Sequence, residues 1–356
     1  MNDLKMDAQR LERIGEHLLA WFDEHARALP WRVNITPYRV WVSEVMLQQT
    51  RVEAVIPYYV RFLNAFPSVK VLASATESEV LKLWEGLGYY RRALNMHAAA
   101  KEICERLAGR IPDDYRGLTN LPGLGDYAAG ALLSIAFKMA VPAVDGNVLR
   151  VASRVMCIED DIRSTKTKKV VRESLERVIS RDRPGDFNQA LMELGALICL
   201  PRALPLCASC PICGICAANE RKLTASIPVK GCGPKRNVEE RTIAVIRNGG
   251  RVALKKRGVN QLLGGLWEPM NMIGSLTLSQ IAEACRNWGV MQVLGIKDLG
   301  VKKHIFSHVE WHMHGYLVDA ATITGEVTGV NWFGKEEIEQ SVAMSKAYSK
   351  YIFQCF

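Results

Sequence analysis

Apolar residues recur at helical spacing over the first three fifths of the chain. Leu11, Ile14, Leu18 and Phe22 fall three or four apart, as do Val80, Leu83, Trp84 and Leu87, the spacing that gathers side chains on one helix face. Prolines at 30, 37, 57, 67, 112, 122 and 142 punctuate these segments. At Thr224 the pattern changes. Residues 224–239 (TASIPVKGCGPKRNVE) carry two prolines, two glycines and no period, which predicts a linker. Beyond it the period drops to two. Residues 242–247 and 251–256 flank Asn248-Gly249-Gly250, a hairpin signal with glycine where a positive φ is needed. Residues 279–288 predict one amphipathic helix between strands. The expected organisation is an all-α domain over 1–223, a linker over 224–239 and a smaller α+β domain over 240–356. No internal repeat or low-complexity tract is present.

Composition agrees with two packed domains. The chain has 356 residues, 49% apolar and 23% charged, enough to bury proper cores. The longest apolar candidate for a membrane span, 128–144, contains Lys138 and Pro142, so no bilayer-crossing helix is expected. Residues 1–10 carry acids and no apolar stretch, unlike a secretory signal. A cytoplasmic protein is expected. The net charge of +9 favours a polyanionic partner, because each neutralised phosphate releases counterions. Charge alone does not single out nucleic acid.

The cysteines add chemistry. Of ten, five fall within Cys199 to Cys216, and in a chain without an export signal such clustering points to metal ligation rather than disulfides. Cys199, Cys207, Cys210 and Cys216 are separated by seven, two and five residues. The first would end a helix beginning near Asp186, with Phe187, Ala190, Leu191, Leu194 and Ile198 on its inner face. Four thiolates this close suit an iron–sulfur cluster. Zinc competes, because Cys207-x-x-Cys210 and Cys213-x-x-Cys216 are both knuckle-like. Yet only two residues separate these pairs, against roughly fifteen to twenty in zinc ribbons. The cluster is favoured and zinc stays open.

Two further places invite chemistry. Residues 121–126 (LPGLGD) join a helix ending near Asn120 to one from about Tyr127 to Phe137. Gly123 and Gly125 permit close backbone approach, and free N–H groups at the second helix could hold a phosphate; an ordinary turn between helices would use the same glycines. Thr36-Pro37 predicts a capped helix running to about Arg51. On it Glu44 has Val40, Trp41, Leu47 and Gln48 as neighbours, and desolvation on that apolar stripe would raise its pKa. A structural partner could equally satisfy such an acid. Asp145, before Gly146-Asn147, fits a plain N-cap, which does not exclude a second role at a cavity edge. Cleaving an N-glycosidic bond uses both kinds of carboxylate, one to protonate the leaving base and one to stabilise an oxocarbenium-like sugar.

These features together resemble the helix-hairpin-helix glycosylases with an iron–sulfur cluster, specifically the MutY-type adenine DNA glycosylases. The stretches carrying the resemblance, in order, are LPWR (29–32), SEVMLQQTRVE (43–53), WEGLGYYRRA (84–93), LPGLGDYAAGA (121–131), VDGNVLRV (144–151) and FSH (306–308). The resemblance implies a helix-hairpin-helix glycosylase domain followed by a Nudix-like domain. It implies hydrolysis of adenine from double-stranded DNA opposite 8-oxoguanine or guanine, by a monomer holding a [4Fe–4S] cluster. Glu44 would protonate the five-membered ring of the flipped adenine. Asp145 would stabilise the sugar cation, supported by Tyr127 and Asn147. Arg27, Trp31, Arg32, Leu47 and Glu193 would surround the base, and Gln49 and Tyr89 would enter the duplex. Trp31 and Leu47 could as easily be core. Phe306, Ser307 and His308 would read 8-oxoguanine.

Departures from the family matter too. The first cluster spacing is seven where the family has six, and Cys213 is an extra thiol, so which four cysteines ligate is open. Residues 281–290 (IAEACRNWGV) lack the acidic Nudix helix, so binding without pyrophosphate hydrolysis is expected. His304, His308, His312 and His314 invite a metal reading that a turn near Ser307 would break. An endonuclease III-like glycosylase that also cuts the strand would need a lysine amine, and Tyr127 holds that place. Lys138 is expected three turns further along the same helix. A non-enzymatic damage-binding module would not need Glu44 and Asp145.

Overall fold

A computed structural model describes residues 13–201, 205–231, 235–323 and 327–356; Leu11 of the first apolar pattern lies outside them. The chain divides into two compact units. One holds residues up to Ala73 together with Ala98–Cys232, the other Ser74–His97 together with Gly233–Phe356. A division read along the chain does not anticipate the grouping of Ser74–His97 with the C-terminal residues.

The first unit is helical. Ile14–His25 places Ile14, Leu18 and Phe22 inward, against Val148 and Val151 of Gly146–Val155 and Phe187, Leu191 and Leu194 of Pro184–Leu197. Phe187 is fully buried, and truncating such a residue costs about 3–5 kcal/mol. Thr36 caps the helix Pro37–Leu47 by accepting from the Arg39 N–H at 3.2 Å. That helix stops at Leu47, a turn earlier than its pattern predicts, because Gln48 turns extended and Gln49 takes φ 58°. Asp145 caps Gly146–Val155 through the Val148 N–H at 2.7 Å. Gly195 is fixed by space: a Cβ there would lie 2.6 Å from the Asn147 Cβ, so only glycine lets the Pro184–Leu197 helix come this close.

The expected linker is a linker only in part. Ile227 is 2% exposed beside Cys157, Cys216 and Ala218. Its carbonyl accepts from Arg154 Nε at 2.8 Å, and Val229 O accepts from the Ile162 N–H at 3.1 Å. A buried apolar side chain and two donors outweigh the turn-rich composition. The far end, from Asn237, already belongs to a strand.

The second unit contains a mixed sheet of β1 Asn237–Asn248, β2 Arg251–Lys256, β3 Trp267–Glu268, β4 Met270–Ile273, β5 Val290–Ile305, β6 Val309–Ile323 and β7 Val330–Phe333. Its order is β3-β2-β1-β6-β5, with β4 on β1 and β7 on β2. β1 and β6 run parallel. Along β1, Ile243 and Val245 face the helix Lys346–Ile352 through Tyr348 and Tyr351. Ala244 and Ile246 face Ile281 and Cys285 of Leu278–Arg286, the period-two pattern of a strand buried on both sides. The hairpin falls where expected, with Asn248 opposite Arg251 and φ of 52° and 78° at Gly249 and Gly250. Within this unit, Lys82 of Glu77–Trp84 donates to Ile338 O at 3.0 Å, and Glu85 accepts from the Met344 N–H at 2.9 Å. Among the described residues no helix is long and apolar enough to cross a membrane.

Candidate active site

One cavity of about 140 Å³ in the helical unit gathers most of the expected residues, far more room than the roughly 10–15 Å³ a single water needs. Its walls include Glu44, Tyr127, Asp145 and Asn147, with Arg27, Trp31, Arg32, Leu47 and Glu193 around them. Glu44 comes from the middle of Pro37–Leu47, Tyr127 from the first turn of Asp126–Ile135, and Asp145 from the cap of Gly146–Val155. Three chain segments far apart in sequence thus meet at one opening.

Glu44 is 5% exposed. Burial pushes its carboxyl up to about 7; the Tyr127 hydrogen bond pulls down, the Asp145 charge pushes up and the Arg32 charge pulls down. The Tyr127 phenol donates to Glu44 Oε2. The phenol thus bonds Glu44 in the cavity it shares with Asp145. Asn147 supports Asp145: its Nδ2 donates to Asp145 Oδ2 at 2.8 Å, while Oδ1 takes the Val148 N–H. Burial raises the Asp145 pKa as well, opposed first by the Val148 N–H and then by Asn147. Asp145 has fixed N–H donors at a helix N-terminus, which favour its anion. Glu44 has a single phenol. Of the two carboxyls, Glu44 is the one whose surroundings favour the protonated form. Behind Asn147 stands Arg150, whose Nη2 donates to Asn147 Oδ1 at 2.9 Å and whose Nε donates to Cys199 O at 2.7 Å.

Glu193 is 3% exposed and held by two arginines. Arg27 Nε donates to Oε1 at 2.7 Å and Arg32 Nη2 to Oε2 at 3.1 Å. Burial alone would raise its pKa, but these hydrogen bonds and charges hold it below the usual carboxylate range. Both oxygens are engaged, so Glu193 orients the arginines. Gln189, one turn earlier, also lines the cavity and accepts from Arg32 Nε at 3.0 Å. Sequence reasoning missed it; its spacing of four before Glu193 on one helix was the available signal. Trp31 is 7% exposed and edge-on to Tyr59 at 5.4 Å, so it is core and cavity wall together.

A second cavity of this unit is lined by Cys199, Cys207, Cys210, Cys213 and Cys216. Burial pushes the Cys210 thiol up to about 12 and the Cys216 thiol up to about 11. Arg154 Nη1 lies 3.1 Å from Cys199 Sγ, a cation suited to balance a negatively charged thiolate assembly. Among the described residues no three His, Cys, Asp or Glu side chains are gathered as around a single ion. Zinc requires thiolates about 2.3 Å from one point. A cluster spreads its cysteines over several irons, and the five thiols lining this cavity include the four that the spacing singles out.

The remaining candidates lie on exposed turns. Gly123 has φ 77°, and Gly125 starts Asp126–Ile135 in extended conformation with no side-chain cap. Gln49 (φ 58°) and Tyr89 (φ 49°) are exposed non-glycine residues in the left-handed region, a strain of about 1–3 kcal/mol typical of functional positions. Phe306, Ser307 and His308 form the turn between β5 and β6. Ser307 and His308 are exposed, and the Ser307 and Tyr89 hydroxyls lie 3.2 Å apart. The turn falls between His304 and His312; His312 pairs with Glu310 and Glu240, and His314 with Asp298. Lys138 is not on the expected helix, which ends at Ile135.

Comparison with known proteins adds a family context. Residues 42–181 match the description HhH-GPD superfamily base excision DNA repair protein, and residues 242–354 match a NUDIX domain. The adenine DNA glycosylase of Homo sapiens is 34% identical over 97% of this chain and 75% of its own. That of Schizosaccharomyces pombe is 31% identical over 92% and 86%. Among solved structures, a thermostable thymine-DNA glycosylase superposes with a TM-score of 0.55 at 25% identity, covering 60% of this chain and 98% of its own.

Proposed function

The chain belongs to the adenine DNA glycosylase family, and we propose that it excises adenine from DNA with Glu44 as proton donor and Asp145 as the carboxylate facing the sugar cation. The observation that carries this is the buried Glu44, pushed up to about 7, in the same cavity as Asp145. A general acid works best with a pKa near the operating pH. Glu44 gives its proton to the leaving base while the Tyr127 phenol holds Oε2. Asp145, kept in place by Val148 N–H and Asn147, offers negative charge as the glycosidic bond lengthens, and water then bonds the sugar carbon and gives up its proton to solvent. Arg32 and Arg27, oriented by Glu193, enclose the base.

The preferred substrate in this reading is double-stranded DNA with adenine opposite 8-oxoguanine or guanine, bound by a monomer. Gln49 and Tyr89 fill the space the base vacates, Gly123 and Gly125 approach a phosphate, and Phe306 to His308 face the lesion. In this reading the helical unit excises the base and the sheet-bearing unit faces the lesion. Cys199, Cys207, Cys210 and Cys216 would hold a [4Fe–4S] cluster that ties the 199–216 loop to the helical core. Base excision on duplexes carrying adenine opposite each normal base and 8-oxoguanine tests the proposal. Fastest loss opposite 8-oxoguanine, then guanine, is expected; no adenine release from any duplex would refute it.

A further inference from the structure

At the turn of Phe306, Ser307 and His308, the Ser307 hydroxyl lies 3.2 Å from that of Tyr89 and the Phe306 and His304 ring centroids are 4.6 Å apart. The Phe306 N–H donates to Val309 O at 2.8 Å, and the two residues at the tip of the turn are exposed. A turn that must meet particular atoms of a base needs a fixed position, to about half an ångström.

Strand β1 adds fixing at both ends of the turn. On one side, the Asn237 N–H donates to His308 O at 3.2 Å. On the other, Phe306 packs edge-on against Trp311 at 4.8 Å, and Trp311 is 1% exposed. The Trp311 indole N–H donates to Glu239 Oε2 at 3.0 Å, its register partner across the parallel β1–β6 pair. The same oxygen accepts from Arg241 Nε at 3.1 Å. The Arg241 guanidinium lies over the Trp311 ring, 4.7 Å from its centroid. Glu239 and Arg241 share one face of β1, two residues apart. Together they hold the indole by its edge and its face, and the indole holds Phe306. A carboxylate at the start of a strand could simply face water. Here one oxygen gathers charge-assisted bonds that orient a buried ring.

We propose that Glu239 is a positioning residue for lesion discrimination, acting through Trp311 and Phe306 to set where Ser307 stands. This rests on the reading of the 306–308 turn given above. It also assigns a task to residues that the composition places in a linker.

The test measures single-turnover adenine excision opposite 8-oxoguanine and opposite guanine, and takes the ratio, which general destabilisation does not move. Glu239→Ala and Trp311→Phe should each lower that ratio about fivefold, the worth of one hydrogen bond. Glu239→Gln, which keeps an oxygen for the indole, should lower it less than about twofold by the same reasoning. The double variant should fall no further than the worse single variant, because both break one chain of contacts. Should Trp311→Phe fail to fold, the partly exposed Glu239 variants carry the test. Ser307→Ala separates the two layers. A lowered ratio in Ser307→Ala with unchanged ratios in Glu239→Ala and Trp311→Phe overturns the positioning role. An unchanged ratio in Ser307→Ala overturns the reading of the turn and the positioning role with it.

Discussion

Glu44→Gln should make the protein more stable at alkaline pH while disabling it. The Glu44 pKa stands at about 7 in the folded chain against 4.5 for an ordinary glutamate, a difference of 7 − 4.5 = 2.5 pH units. Between those values the unfolded chain has released its proton and the folded chain still holds it. The folded state binds more protons there, so stability falls as pH rises through that window. At 1.36 kcal/mol per pH unit the loss is about 3 kcal/mol, complete above about pH 7. Glutamine has no proton to lose and retains an oxygen for the Tyr127 phenol. Urea unfolding of both proteins, followed by tryptophan fluorescence at pH 5 and pH 8, reads the effect. The stability advantage of Glu44→Gln should grow by about 2–3 kcal/mol between the two pH values, while excision falls roughly a hundredfold or more. Parallel pH dependences for the two proteins would refute the desolvated-acid explanation.

Two other outcomes follow from the cysteine cavity and the Tyr127 position. Purified protein should be brown and contain iron; Cys213→Ser should keep the iron and Cys210→Ser should lose it or fold poorly, whereas stoichiometric zinc in colourless, anaerobically prepared protein contradicts the cluster. Wild-type enzyme should give little borohydride-trapped DNA adduct because a phenol forms no imine, and Tyr127→Lys should gain it; efficient trapping by the unmutated chain would remove the monofunctional assignment.

The sequence made some of this legible for definite reasons. Thr36-Pro37 and Asp145-Gly146 are local signals, and both cap helices where expected. Glu44 stood out because its i±3 and i±4 neighbours are largely apolar, and it is buried. Asn248-Gly249-Gly250 specifies a hairpin by backbone sterics alone. What stayed hidden depends on contacts across the chain. Tyr127 bonds Glu44 across 83 residues, and Glu193 is claimed by Arg27 across 166; spacing along one helix reveals neither. Gln189 shares a helix face with Glu193, four residues on, but its place in the cavity wall is decided by Arg32, 157 residues away. Residues 224–239 read as linker because proline and glycine suggest turns, whereas the buried Ile227 and the Arg154 donor decide the place of their first part. The pattern carries the Glu44 helix too far because Gln48 to Arg51 do not oppose helix, and the left-handed Gln49 ends it.

The pH dependence of single-turnover adenine excision from an adenine:8-oxoguanine duplex tests the central claim most directly. With Glu44 as the acid at a pKa of about 7, the rate should be level below that pH and fall about tenfold per pH unit above it. The Glu44→Gln variant should be slow and level throughout. A wild-type rate that stays constant or climbs from pH 6 to pH 9, or near-normal excision by Glu44→Gln, would contradict the account.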